Sequence, residues 1–130
     1  MLGKSQVKYI QSLGQKKVRD EEGVFIAEGP KIVAELLASA NSKIQQLYAL
    51  PAWIQANHTD CNGVEIVEAD EEDLEKISQL ATPNKVLAIV KKFEEPAYPE
   101  TKETVSLVLD TIQDPGNLGT IVRIADWFGI

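Results

Sequence analysis

The residue types that could do chemistry are concentrated near the end of the 130-residue chain, in the segment LVLDTIQDPGNLGTIVRIADWFGI. Asp110 ends an apolar run, Asp-Pro-Gly at 114–116 predicts a tight turn, and Asn117 is predicted to cap the helix that follows. Arg123 comes six residues later, and its side chain can lean back toward the helix N-terminus. Backbone N–H groups, an amide and a guanidinium would then surround one concavity, which suits a phosphate or a ribose.

A purely structural role for the same segment is an open alternative. It would be a loop of turn residues in which Arg123 pairs with a nearby carboxylate, that of Asp110, Asp114 or Asp126. Two glycine-based nucleotide motifs do not apply. The dinucleotide fingerprint needs three glycines where only Gly116 and Gly119 are present, and the GxxG loop of a KH domain lies between two helices rather than after a strand.

The charge distribution is asymmetric along the chain. The formal net charge is −7, yet the first 19 residues contain five basic side chains and no acidic one: Lys4, Lys8, Lys16, Lys17 and Arg19. Six acids are found within residues 68–75. A basic pole on an acidic body is typical of a protein that presents one face to a polyanion such as RNA, although a solvated helix face explains the pole equally simply.

Composition excludes several classes of protein. One cysteine, Cys61, cannot form an intramolecular disulfide or a Cys-rich zinc site, so no metal site is predicted. No apolar run approaches the roughly 20 residues of a membrane span, and the N-terminus lacks the apolar core of a secretory signal. The expected compartment is therefore the reducing cytoplasm, with no membrane partner.

The rest of the chain alternates strands and helices. Strands are predicted at 24–28, 44–50, 64–67 and 86–90, and helices at 4–13, after Gly29-Pro30, after Pro51 and after Asp70. The predicted inner faces are Ile32, Val33, Leu36 and Leu37 in one helix and Leu74, Ile77 and Leu80 in another. This pattern predicts an α/β fold, specifically an α/β/α sandwich with a mostly parallel sheet.

The composition changes after residue 91. The segment KFEEPAYPETKET at 92–104 is predicted to be a semi-rigid linker, and a new buried strand is predicted at 106–110 before the final helix. One strand and one helix cannot bury their own apolar faces. We therefore expect the chain to be an N-terminal piece of a longer protein, unless its last segment packs on the first domain or on a second chain.

The C-terminal segment closely resembles motif 1 of the SpoU (TrmH) branch of the SPOUT RNA methyltransferases. The matching residues are Asp110, Asp114, Pro115, Gly116, Asn117, Gly119, Arg123, Ala125, Asp126 and Gly129. The segments KKVRDEEGVFIAEGPKIVAELL at 16–37 and ATPNKVLAIVKK at 81–92 are similar to the substrate-binding domain of the same family. The resemblance therefore covers nearly the whole chain.

The resemblance implies an organisation and an activity. Residues 1–91 would be an L30e-like RNA substrate-binding domain, 92–104 a linker and 105–130 the first β-α unit of a SPOUT domain. The family transfers a methyl group from S-adenosylmethionine to a ribose 2′-hydroxyl of rRNA or tRNA, and it acts as a homodimer with a trefoil-knotted catalytic domain. Motifs 2 and 3, which build the cofactor pocket, are not in this sequence, so the chain itself is expected to be inactive and to contain no cofactor-binding residue.

The resemblance also implies roles for individual residues. Arg123 corresponds to the motif 1 arginine that activates the hydroxyl or holds the RNA phosphate, and Asn117 to the asparagine that supports the site. Lys16, Lys17 and Arg19 fall in the RNA-facing segment, which makes them, with Lys4 and Lys8, the predicted RNA contacts. Glu28 is expected to be structural and to pair with a neighbouring cation. The open alternative is a stand-alone, non-catalytic L30e-like RNA-binding module.

Overall fold

The computed structural model describes residues 1–95, 97 and 103–130, which form two units, Met1–Glu94 and Glu95–Ile130. The predicted linker at 92–104 lies partly outside the described residues. The elements of the first unit are α1 (Lys4–Ser12), α2 (Lys16–Glu22), β1 (Val24–Glu28), α3 (Pro30–Ala40), β2 (Ile44–Ala49), α4 (Pro51–Asn57), β3 (Ile66–Glu68), α5 (Glu71–Ile77) and β4 (Val86–Lys91), with a 3₁₀ turn over Asn41–Lys43. The second unit contains α6 (Pro115–Phe128).

The first unit is built on a four-stranded sheet in the order β1-β4-β2-β3. Strand β4 runs antiparallel to both of its neighbours, and only β2 and β3 are parallel. The prediction of a mostly parallel sheet is therefore wrong. Strand β3 ends at the same end of the sheet as β1 and β2, and Ser78 and Gln79 are bonded to Glu28 there. The chain therefore enters β4 from that end, and β4 runs opposite to β1 and β2.

Helices cover both faces of this sheet. Side chains of β4 alternate between the two sides, with Ala88 and Val90 packed among residues of α3 and α4, and Leu87 and Ile89 packed among residues of α1 and α5. Every β4 residue from Val86 to Val90 is buried, as predicted for a central strand. The first unit thus has the three predicted layers.

Two residues predicted to lie in the core are exposed, and one helix of the structure was not predicted from the sequence. Ile32 is 47% exposed and Leu80 is 51% exposed. Val33, Leu36 and Leu37 already fill the inner face of α3, and α5 ends at Ile77, so the helical spacing no longer applies at residue 80. Helix α2 was not predicted because Val18 is its only aliphatic residue, and one apolar residue cannot show the helical periodicity on which the prediction depends.

The second unit also departs from expectation. The described residues 104–110 form no strand, since a strand needs a paired neighbour to accept its backbone hydrogen bonds. The predicted strand at 106–110 is thus wrong for this structure, while the predicted helix does end at Phe128. In the part of the chain that the structure describes, no helix has the length and apolar character needed to cross a membrane.

Candidate functional site

The first turn of α6 is organised by Asp114. The Asp114 carboxylate accepts a hydrogen bond from the Asn117 amide at 2.9 Å, so Asp114, not Asn117, is the N-cap. The predicted Asn117 cap is wrong because aspartate caps as well as asparagine, and Pro115 directly after it suits the first helical position. A Cβ at Gly116 would lie 3.1 Å from Asp114 Oδ2, so the absent side chain leaves the carboxylate room over this turn.

The turn leading to this cap passes through an unusual backbone conformation. Thr111 has φ +56°, a left-handed value that is costly for a β-branched residue. Its hydroxyl donates a hydrogen bond to Asp110 Oδ1 at 2.8 Å. The sequence carried no signal for this feature, because glycine or asparagine is the usual residue in such a conformation.

The Arg123 side chain leans toward the N-terminus of α6, as predicted. Its Nε donates a hydrogen bond to the Gly119 carbonyl at 3.3 Å. Among the described residues no carboxylate lies within 4 Å of the guanidinium, so the alternative of a salt bridge to Asp110, Asp114 or Asp126 is not what the structure contains. An exposed guanidinium without a described anionic partner can bind a phosphate or stabilise a developing alkoxide.

Asn117 and Arg123 share a helix but do not interact directly. Asn117 is exposed in the first turn of α6, and no hydrogen bond joins it to Arg123 in the described part of the chain. Both side chains are therefore exposed, that of Asn117 in the first turn of α6 and that of Arg123 in its C-terminal half, from which it leans toward the N-terminus. The structure places them on one element without assembling a closed site.

The apolar sides of α6 are largely exposed. Trp127 is 84% and Phe128 is 70% accessible. A cavity of about 370 Å³ is lined by Val105, Leu107, Leu109, Ile121, Val122, Ala125, Asp126 and Ile130. Asp126 is the only lining residue with a charged side chain and the other lining side chains are apolar, so the amino-acid carboxylate of S-adenosylmethionine would find no cationic or hydroxyl side chain there. The side chains that line this cavity therefore do not fit that cofactor, and the described residues contain no cluster of three or more His, Cys, Asp and Glu able to hold a metal ion.

The predicted RNA-contacting cations have different surroundings. Lys4 and Lys8 are exposed on α1, and Lys16 and Lys17 are exposed on α2. Arg19 instead donates hydrogen bonds to the carbonyl oxygens of Leu13 at 2.9 Å and Gly14 at 2.7 Å. Arg19 thereby satisfies carbonyl groups just after the C-terminal end of α1, a structural role that was not predicted from the sequence.

Acidic residues of α2 offset part of the basic pole. Lys17 Nζ lies 3.8 Å from Glu21 Oε1, and Asp20 pairs with Lys92 from the end of β4. The hydrogen bond from Lys92 holds the pKa of Asp20 below its ordinary value, and the charges of Lys16 and Arg19 act in the same direction. The basic surface at this end of the sheet is therefore interleaved with carboxylates.

Glu28 is structural, but its partners are not those predicted. Its carboxylate accepts hydrogen bonds from the Ser78 hydroxyl at 2.7 Å and from the Gln79 amide at 2.8 Å. These bonds tie the end of β1 to the segment that follows α5. The expected pairing with a cation is wrong because a hydroxyl and a backbone amide occupy both carboxylate oxygens.

Comparison with protein families extends these observations. A family model described as the MRM3-like substrate binding domain matches residues 4–88. The chain is 30% identical over 125 residues to the 23S rRNA (guanosine(2553)-2′-O)-methyltransferase RlmP of Bacillus subtilis, covering 96% of this chain and 48% of the relative. It is 30% identical over 120 residues to the human mitochondrial rRNA methyltransferase 3, covering 82% of this chain and 27% of that protein.

The solved structures that resemble this chain are also RNA methyltransferases. A TrmH-family RNA methyltransferase from Porphyromonas gingivalis aligns with a TM-score of 0.75 at 38% identity, over 100% of this chain and 50% of that one. An AdoMet-bound rRNA methyltransferase from Sinorhizobium meliloti aligns with a TM-score of 0.70 at 34% identity, over 97% and 49% of the two chains. The chain thus spans about half the length of these structures and of the Bacillus relative, and about a quarter of the length of the human relative. It belongs to the MRM3-like substrate-binding domain family, and its relatives include RNA 2′-O-methyltransferases.

Proposed function

We propose that the whole protein is an RNA ribose 2′-O-methyltransferase that uses S-adenosylmethionine, and that this chain contributes RNA binding and motif 1. The observation that carries the proposal is the exposed Arg123 guanidinium, folded back along α6 with no carboxylate near it in the described residues. The experiment is methyl transfer from S-adenosylmethionine to rRNA or tRNA by the product of the complete reading frame. It includes identification of the methylated atom.

Arg123 would act on the ribose hydroxyl electrostatically. A ribose 2′-hydroxyl is a poor nucleophile, and a nearby cation favours its alkoxide. Arginine stays protonated at neutral pH, so an RNA phosphate or a water molecule has to accept the proton. Asn117, in the first turn of the same helix, would support the bound nucleotide through its amide. S-adenosylmethionine supplies the methyl group, and residues outside the described part would hold it.

The proposed organisation follows the family. Residues 1–91 are an L30e-like substrate-binding domain, 92–104 a linker and 105–130 the start of a SPOUT domain. The 130-residue chain alone is proposed to be inactive, because the cavity beside α6 lacks side chains suited to the amino-acid carboxylate of S-adenosylmethionine. The exposed Trp127 and Phe128 support packing of α6 against further protein surface, including that of a homodimer. No metal is proposed to take part, and the proposed compartment is the cytoplasm, by analogy with the Bacillus relative.

The basic side chains of α2 provide a direct test of RNA binding. In the 130-residue chain, the double change Lys16→Glu and Lys17→Glu is expected to weaken RNA binding about tenfold or more at moderate salt. Removing two phosphate contacts also flattens the dependence of log affinity on log salt by roughly 0.7 for each contact. Fluorescence anisotropy with a labelled rRNA fragment at several salt concentrations measures both quantities.

The control changes two lysines at the opposite end of strands β1 and β4. Lys31 follows the end of β1 and Lys85 precedes β4, whereas α2 precedes the start of β1. Lys31→Glu with Lys85→Glu alters the net charge by the same amount and should retain most of the affinity. A larger loss in this control than in the α2 variant would contradict RNA contact through Lys16 and Lys17.

A non-catalytic RNA-binding module is the alternative proposal. It predicts RNA binding by the 130-residue chain and no methyl transfer by the complete reading frame. The relatives favour the enzyme, because several are named as methyltransferases and match this chain across α6.

A further inference from the structure

Gly119 lies one helical turn before Arg123 on α6, directly beneath its guanidinium. Arg123 Nε donates to the Gly119 carbonyl at 3.3 Å, and a Cβ added at residue 119 would lie 3.7 Å from Arg123 Nη2. Gly119 is half-buried, although nearly all residues around it on α6 are exposed. Its backbone conformation is that of an ordinary helix, so the helix itself does not require a glycine at this position.

We propose that Gly119 is a positioning residue for Arg123. The absence of any side-chain atom beyond a Cβ lets the guanidinium lie back along the helix, where the Gly119 carbonyl holds Nε and leaves the two Nη groups to meet the RNA. The inference rests on the proposed function of Arg123 in ribose methylation. Gly119 itself would touch neither the substrate nor the cofactor.

The available space distinguishes two substitutions at this position. An alanine Cβ at 3.7 Å from Nη2 makes an ordinary van der Waals contact, so Gly119→Ala should preserve the Arg123 orientation. Valine adds two further carbon atoms to that Cβ, each about 1.5 Å beyond it, and one of them would intrude on the guanidinium. Gly119→Val should therefore displace Arg123 while keeping α6 helical.

The orientation can be measured on the 130-residue chain by NMR. The expected result is a nuclear Overhauser effect between Arg123 Hε and the Gly119 Hα protons, with the corresponding contact retained in Gly119→Ala and lost in Gly119→Val. Leu118→Val, an exposed position in the same turn, is the matched control and should retain the contact. Absence of the contact in the unaltered chain, or its persistence in Gly119→Val, would overturn the proposal.

The consequence for catalysis is measured in the whole protein by a double-mutant cycle. Gly119→Val is expected to lower kcat about 10- to 100-fold, as expected for a misplaced catalytic group, with a smaller effect on KM. In an Arg123→Ala background the same change should have almost no further effect, because the group that it displaces is absent. Independent, multiplying losses in the double variant would mean that Gly119 acts through helix structure, and would overturn the positioning role.

The two experiments separate this inference from the function on which it rests. A whole protein that methylates no RNA refutes the proposed function, whereas the NMR measurement still decides whether Gly119 sets the Arg123 orientation. A protein that methylates RNA with independent effects at the two positions refutes only the positioning role.

Discussion

Replacing Arg123 with alanine is expected to lower kcat for ribose methylation by the whole protein by about 100- to 1,000-fold. The change removes the cation that would stabilise the developing alkoxide, and no other basic side chain lies on α6. The exposed side chain makes its only described hydrogen bond to the Gly119 carbonyl, so folding should be unaffected. The assay is multiple-turnover transfer of labelled methyl groups at saturating RNA and S-adenosylmethionine.

Two further variants show whether the loss belongs to this guanidinium. Arg123→Lys keeps the charge but loses the planar donor arrangement, so we expect only partial recovery of the rate. Thr59→Ala, at an exposed position in the first unit, should leave the rate unchanged. A kcat within a few-fold of wild type in Arg123→Ala would contradict the catalytic role.

Replacing Asp73 with asparagine is expected to lower the free energy of unfolding of the 130-residue chain by about 1.5–3 kcal/mol at neutral pH. The buried Asp73 carboxylate accepts hydrogen bonds from the Leu2 amide, at 3.0 Å to each oxygen, and lies 3.3 Å from the Met1 ammonium. These bonds fasten the segment before α1 to α5. Urea denaturation followed by tryptophan fluorescence measures the loss, because Trp53 is buried in the same unit.

The same interaction predicts the pH dependence. Burial by itself raises the pKa of Asp73, but the hydrogen bonds from Leu2 and the terminal ammonium outweigh it and bring the pKa below its ordinary value of 3.8. A lowered folded-state pKa means that this stabilisation is complete above the unfolded pKa and is lost as pH falls through the folded one. The difference between wild type and Asp73→Asn should therefore be constant near neutrality and shrink below about pH 4.

An exposed carboxylate on α5 provides the control. Glu75→Gln should change the free energy of unfolding by less than about 0.5 kcal/mol at any pH in this range. An effect of Asp73→Asn no larger than that of Glu75→Gln would show that the buried carboxylate does not hold the chain terminus in place.

The elements that begin with proline were predictable from sequence. Pro30 follows glycine and starts α3, and Pro51 starts α4 where it was expected, because proline suits the first turn of a helix. The direction of β4 was not predictable. Its unbroken apolar run indicates burial on both faces, but it contains nothing that distinguishes a parallel from an antiparallel neighbour. The path of residues 78–85 decides the direction, and that path depends on contacts such as those of Glu28.

The candidate site was predictable where local geometry determines it. The backward lean of Arg123 follows from the ordinary direction of helical side chains and from the small residue one turn earlier. The partners of Arg19 were not predictable, because the carbonyls of Leu13 and Gly14 become acceptors only when α1 ends beside α2. The basic N-terminal segment and the family resemblance predict a phosphate contact for Arg19, whereas hydrogen bonds within the fold use its Nη1 group.

The position of the methyl group in the reaction product tests the central proposal most directly. The product of the complete reading frame would be incubated with S-adenosylmethionine and unmodified rRNA or tRNA, and the digested nucleosides analysed by mass spectrometry. We predict a single 2′-O-methylated nucleoside, formed by the whole protein, absent with the 130-residue chain and formed about 100- to 1,000-fold more slowly with Arg123→Ala. A methyl group on a base, or RNA binding without methyl transfer by the whole protein, would contradict the proposed ribose 2′-O-methyltransferase.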